Sequence, residues 1–242
     1  MSARATTPPR VGGPAGVPPL LGVFALLATV NVVAVGAGAL PLEWATKPLL
    51  APVLAAYLWR TTGTRHARVL AGLGFATAGD VTLLVPGTVA FAVGIGFFLG
   101  AQLCWTSAFV RAGAVAHLRA HRPLCALWLG VWAAANAVLA PLLGPPMAVA
   151  IGVYGLALVV MALTAHALGR RAAWGGAVFV VSDALIGAGA AGADFPGRPV
   201  LVMATYTAAL ALLTTAFARS RPRPPSAPTP ALGDEAVGAA GA

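Results

Sequence analysis

Charge is scarce in this chain. Only 9% of its 242 residues are charged, against roughly a quarter in a soluble domain, so too little polar surface exists to cover a globule in water. Acids are scarcest: Glu43, Asp80, Asp183, Asp194, Asp234 and Glu235 are all there are. Lysine occurs once, as Lys47, beside fourteen arginines, and the heavy use of Ala, Gly and Pro points to a GC-rich bacterial genome. Cys104 and Cys125 lie in apolar stretches without a CxxC or Cys/His grouping, so they read as buried thiols. His66, His117, His121 and His166 lack metal-ligand spacing. There is no P-loop, GxSxG elbow or HExxH, and no metal or cofactor is expected. The net charge of +9 could suggest nucleic acid, but the arginines sit at the ends of apolar runs and form no basic block or face, which argues against that partner.

What the chain has in abundance is apolar sequence: 59% of it is hydrophobic, with a mean hydropathy of +0.87. The runs recur at about the 20-residue length that crosses a hydrocarbon core. The fold class is therefore all-α, a polytopic bundle of about eight transmembrane helices. The spans read as Pro18–Ala39, Thr46–Trp59, Arg68–Val85, Thr88–Val110, Pro123–Ala140, Pro146–Leu168, Ala172–Ala190 and Pro199–Ala218. The second is short and could extend back toward Pro41. Basic residues, an apolar stretch and Ala37-Gly38-Ala39 also fit a signal peptide, but the stretch is nearer a full span than a signal core. Residues 1–17 and 219–242, rich in Pro, Thr, Ala and Gly, read as disordered tails around a membrane domain at 18–218.

Arginine alternates with the connections. One side carries Arg4, Arg10, Arg60, Arg65, Arg68, Arg111, Arg119, Arg122, Arg170, Arg171, Arg219, Arg221 and Arg223; the other has only Lys47 and Arg198. By the positive-inside rule both termini are cytoplasmic and the protein resides in the cell membrane. A faint internal symmetry accompanies this. An offset of 103 pairs Arg68 with Arg171, Gly72 with Gly175 and Asp80 with Asp183, as a duplicated four-helix unit in parallel orientation would.

Ionisable groups inside a span cost several kcal/mol and face a cavity, the bundle interior or a partner. Asp80 and Asp183 are the only carboxylates well inside spans, and both fall in the outer half of the membrane. Asn31, Asn136, Tyr154, Thr205 and Tyr206 share that half, with Glu43 and Lys47 at its boundary. This common depth predicts a polar pocket opening to the non-cytoplasmic side or laterally into the outer leaflet. The alternative is that each aspartate is interhelical packing glue. Lys47 reads as a snorkelling interfacial residue or as partner of an anion, a lipid phosphate or Asp80. Gln102 and Trp105, one turn apart, read as core packing with one interhelical hydrogen bond.

Four stretches together resemble the YhhN family, which includes the mammalian transmembrane lysoplasmalogenases. They are Lys47-Pro48-Leu49, GFATAGDVTLL around Asp80, FVVSDALIG around Asp183, and Thr205-Tyr206, with the Gly- and Phe-rich fourth span in support. The chain departs from the family where His-x-x-Tyr is common, reading Gln102-Leu103-Cys104-Trp105, and where Ala-Gln is common, reading Ala209-Leu210. The resemblance implies hydrolysis of the vinyl ether bond of a lysophospholipid, with Asp80 and Asp183 catalytic. It places Lys47, Glu43, Asn31, Gln102, Ser182, Thr205 and Tyr206 as substrate-binding residues. Such chemistry needs one protonated and one ionised carboxyl, as in glycosidases. Two other classes fit the same residues: a proton-coupled transporter of a small or lipid-like solute, and a non-catalytic lipid-binding relative. The partners expected are the bilayer and a lysophospholipid, with oligomeric state open.

Overall fold

The computed structural model describes residues 17–220. The two tail assignments lie outside the described residues, apart from Val17, Arg219 and Ser220. Among the described residues the chain forms nine α-helices and no strand. They are α1 (Val17–Ala37), α2 (Leu40–Thr62), α3 (Ala67–Leu83), α4 (Thr88–Arg111), a short α5 (Ala114–Ala120), α6 (Arg122–Leu139), α7 (Pro145–Ala165), α8 (Arg170–Ala190) and α9 (Arg198–Arg219). Helix is the outcome the composition requires, because an apolar segment in lipid must satisfy every backbone polar group within itself. Proline opens α2, α6, α7 and α9 in the first two positions, where its missing N–H costs nothing. Gly87 and Gly169 cap α4 and α8 with φ of +118° and +97°, conformations closed to side chains with a Cβ.

Six helices are long and apolar enough to cross a membrane by length and composition: α1, α4, α6, α7, α8 and α9. The remaining two long ones differ for visible reasons. Helix α2 carries Glu43, Lys47, Arg60 and two internal prolines, and α3 is 17 residues long. Both are nonetheless built into the core, through Leu50, Leu54 and Leu58 on α2 and Leu73 and Ala76 on α3. The second span is longer than expected, as α2 extends back to Leu40 and on to Thr62.

Packing closes a ring. Each of α2, α3, α4, α7, α8 and α9 contacts the next, and α9 returns to α2; α1 lies outside against α2 and α9, and α6 against α7. The order α1–α2–α3–α4 is thus matched by α6–α7–α8–α9, with α5 between the two units. Glycines set the closest contacts at equivalent places. A Cβ on Gly72 would meet the Trp105 ring of α4 at 3.1 Å, and one on Gly175 would meet Leu213 of α9 at 2.9 Å. Small residues of this kind let helix backbones approach when lipid supplies no hydrophobic drive. Phe98, Trp105, Phe179, Tyr206, Leu210 and Phe217 fill the ring, whereas α6 buries no residue at all.

Candidate functional site

Helices α3, α4, α7, α8 and α9 of the ring bring Asp80, Gln102, Tyr154, Asp183 and Tyr206 to its interior. Asp80 stands near the end of α3, 1% exposed, and accepts a 2.7 Å hydrogen bond on Oδ2 from the Tyr206 hydroxyl of α9. Asp183 on α8 accepts a 2.5 Å bond on Oδ2 from the Tyr154 hydroxyl of α7. Two of the three tyrosines in the chain therefore serve its two intramembrane carboxylates. Tyr206 is clamped edge-on between Phe98 and Phe179, with ring centroids at 5.7 and 5.9 Å. Its phenol also lies within electrostatic reach of Asp183 and Tyr154, so the two Asp–Tyr pairs form one cluster.

Gln102 of α4 is fully buried and approaches the Tyr154 phenol. Neither its oxygen nor its nitrogen meets hydrogen-bond geometry with any described residue. Lys47 of α2 pairs with Glu43, one turn back, at 3.7 Å, and its charge reaches Asp80.

Three further residues named from sequence bond elsewhere. Asn31 Nδ2 donates to Thr46 Oγ1 at 2.9 Å, tying α1 to α2 beside Lys47. Ser182 Oγ donates to the Val202 carbonyl at 3.1 Å and joins α8 to α9. Thr205 Oγ1 donates to the Leu201 carbonyl of its own helix at 2.6 Å. Tyr154, assigned no site role from sequence, sits at the centre; its shared depth with Asp183 and the scarcity of tyrosine were the available signals.

A narrow cleft of about 80 Å³ runs between α6, α7 and α8. Asp183 and Tyr154 form part of its wall, with Asn136 and apolar side chains such as Val131, Leu139, Ile151 and Leu158. Asp80 is not among its lining residues. At this end of the bundle, cations have acid partners: Lys47 with Glu43, and Arg198 with Asp194 at 2.8 Å. The Arg198 guanidinium holds the exposed Asp194 carboxyl below the usual carboxylate range. Among the described residues, no group of three or more His, Cys, Asp or Glu side chains is placed to hold a metal ion.

The model of the YhhN family matches residues 42–217, most of the chain and all but the start of the ring. The chain belongs to the YhhN family. The match begins inside α2, so α1 and Asn31 precede it. Neither the curated proteins nor the solved structures contain a significant match to this chain.

Proposed function

We propose that this YhhN-family protein is a membrane-embedded hydrolase cleaving the vinyl ether bond of a lysophospholipid to a fatty aldehyde and a glycerophospho-base. The observation that carries this reading is the cluster of two aspartates, each held by a tyrosine, beside an apolar cleft that opens sideways. Vinyl ether hydrolysis begins with proton transfer to the β-carbon, which leaves an oxocarbenium ion. Water adds at the adjacent carbon and gives up a proton to a second carboxylate. The hemiacetal then breaks its C–O bond, forming the aldehyde as the glycerol oxygen regains a proton. One acid and one base suffice, as in glycosidases.

Asp183 is the proton donor in this scheme because it lines the cleft. Tyr154 occupies Oδ2 and leaves the other carboxyl oxygen without a partner among the described residues. Asp80, enclosed behind Tyr206, orients the water and offsets the cation. Exchange with solvent restores the starting protonation. Lys47, steadied by Glu43, takes the phosphate at the boundary, and the hydrocarbon chain lies along the apolar walls between α6 and α7. The buried Gln102 amide finds its partner in the bound substrate. Eight crossings, with the arginine-rich end and both termini cytoplasmic, put this cluster in the outer leaflet.

The test is mass-spectrometric detection of aldehyde from purified protein given lyso-vinyl-ether lipids, with diacyl and alkyl-ether analogues as controls. Aldehyde release from the first substrate alone is expected, lost in Asp80→Asn and Asp183→Asn; normal turnover in both variants would sink the assignment. The repeated packing order favours a second reading, a proton-coupled transporter built from paired units. Uptake into proteoliposomes without chemical change selects that one. Lipid retention with neither aldehyde nor uptake selects a non-catalytic binder.

A further inference from the structure

A second cavity is separate from the aspartate cluster. It lies at the opposite end, with a volume of about 800 Å³, where the turn before α3 meets the last turns of α4 and α9. That size is typical of small-molecule ligand sites, which span roughly 300–1,000 Å³. Three guanidinium groups line it, those of Arg65, Arg68 and Arg111, with His66, Phe217 and Ser220. Twelve residues of α3 separate Arg68 from Asp80, about 18 Å at 1.5 Å per residue, so the two sites are distinct.

The cavity is built and not merely basic. Arg65 is held in place: its Nε donates to His66 Nε2 at 3.2 Å, and its Nη2 donates to the Ser220 carbonyl. The His66 ring packs on Phe217 with centroids 5.2 Å apart. Burial, and the neighbouring Arg65 charge, push the His66 imidazole below its usual range, which keeps it the neutral acceptor that Arg65 requires. The Arg68 and Arg111 side chains have no hydrogen bond or ion pair with any described residue; the two ion pairs among the described residues, of Lys47 and Arg198, lie at the other end of the bundle. Helix α3 begins at this cavity without a side-chain cap, so the positive end of its dipole adds to the potential there. A planar guanidinium fork matches phosphate oxygens two at a time, and a converging set of such forks is a phosphate-recognising arrangement.

We infer that the cavity lined by Arg65, Arg68 and Arg111 binds a phosphate ester, supplied as an anionic phospholipid headgroup or as a free glycerophosphate-type metabolite. Both sources present the same oxygens; they differ in whether the ligand arrives through the bilayer or from water. The site sits at the level where α3 begins and α4 ends, which either can reach.

The experiment uses the full chain purified in a neutral detergent. One arm titrates glycerol 3-phosphate and inorganic phosphate, read by intrinsic tryptophan fluorescence. The other arm reconstitutes the protein in phosphatidylcholine with phosphatidylglycerol and reads retained lipid by native mass spectrometry. Both arms compare the wild type with R68Q/R111Q and with R119Q/R122Q, which removes the same charge outside the cavity. Binding in at least one arm is expected, weakened about tenfold or more in R68Q/R111Q and little changed in R119Q/R122Q. A response in the first arm identifies a free ester; enrichment of phosphatidylglycerol in the second identifies a lipid. R68K/R111K keeps both charges and changes only the fork, so it tests the fork where the glutamine variant fails to fold; weakened binding is expected there too. No binding in either arm, equal loss in R119Q/R122Q, or undiminished binding in R68K/R111K would overturn the inference.

Discussion

Tyr206→Phe is the most informative single change. It removes one oxygen and leaves the ring, so the edge contacts with Phe98 and Phe179 persist. What it deletes is the 2.7 Å bond to Asp80, between groups that are 4% and 1% exposed. A hydrogen bond to a charged group contributes about 1.5–3 kcal/mol net, and stranding its buried partner costs a similar amount. In a domain of this size 1 kcal/mol moves the melting temperature by about 2–4 °C, so the variant should melt on the order of 6 °C lower. The assay is thermal unfolding of detergent-solubilised protein followed by tryptophan fluorescence, run as a double-mutant cycle with Asp80→Leu. Leucine removes the acceptor without offering another, which asparagine would not. If the hydroxyl and carboxyl act on each other, the double variant is less destabilised than the sum, by about 1–2 kcal/mol. Additivity within about 0.5 kcal/mol would refute the pairing and with it the bridge between α3 and α9 at this depth.

Gln102→Leu should raise stability by about 1–3 kcal/mol, since it removes a buried amide with no protein partner, while aldehyde release falls. A destabilised variant in the same melting assay would show that the amide is satisfied in the resting protein. Gly79→Ala should cost about 1–3 kcal/mol, because its Cβ would stand 2.8 Å from the Phe98 ring that backs Tyr206; an unshifted melt would contradict that packing. The third concerns pH. His66 is depressed in the fold, so its contribution is fully present above the unfolded histidine value near 6.5 and is lost as pH falls through the lower folded one. Melting temperature should therefore drop on acidification from pH 7 toward 5, and His66→Gln should flatten that part of the curve; an unchanged slope would remove His66 as the cause.

Helix positions were legible because the signal that marks them is the force that makes them. An uninterrupted apolar run has one backbone solution in lipid, and the breaks at Gly87 and Gly169 are chemical as well as statistical. The expected spans match the eight long helices to within a few residues, except at α2. There Glu43, Lys47 and Pro48 depress the apolar signal over a segment that the ring nonetheless holds helical from Leu40. Asp80 and Asp183 were legible for the converse reason, as ionisable groups that are costly to place in lipid. Their partners were not. Tyr206 lies 126 residues from Asp80 and Tyr154 lies 29 from Asp183, and only the closure of the ring makes either a neighbour. For the same reason, residues that share a depth with the cluster could not be sorted into those facing inward and those bonding sideways. Ser182 and Thr205 have the right height and point to backbone carbonyls instead. The short α5 was invisible to a search for long apolar runs.

The repeat in the packing order gives the two aspartates equivalent frames and unequal surroundings. Asp80 on α3 and Asp183 on α8 are related by the 103-residue offset, yet Asp80 is bonded from α9 and Asp183 from α7. A duplicated unit whose copies had stayed alike would bond both carboxyls from equivalent helices and leave both equally covered. Here α1 seals its side of the ring by packing against both α2 and α9, whereas α6 leans on α7 and leaves a cleft along α8. That difference decides which carboxyl meets the outside. In the proposed hydrolase the cleft-lining Asp183 is the carboxyl that exchanges with substrate, and Asp80 acts from behind Tyr206. Under that reading two carboxyls in like surroundings would serve one role twice, whereas two unlike ones supply an acid and a base. On the proposed function the loose seating of α6 belongs to the site, and tightening it by a disulfide between α6 and α8 should close the cleft and stop aldehyde release while leaving the Asp80–Tyr206 coupling energy unchanged.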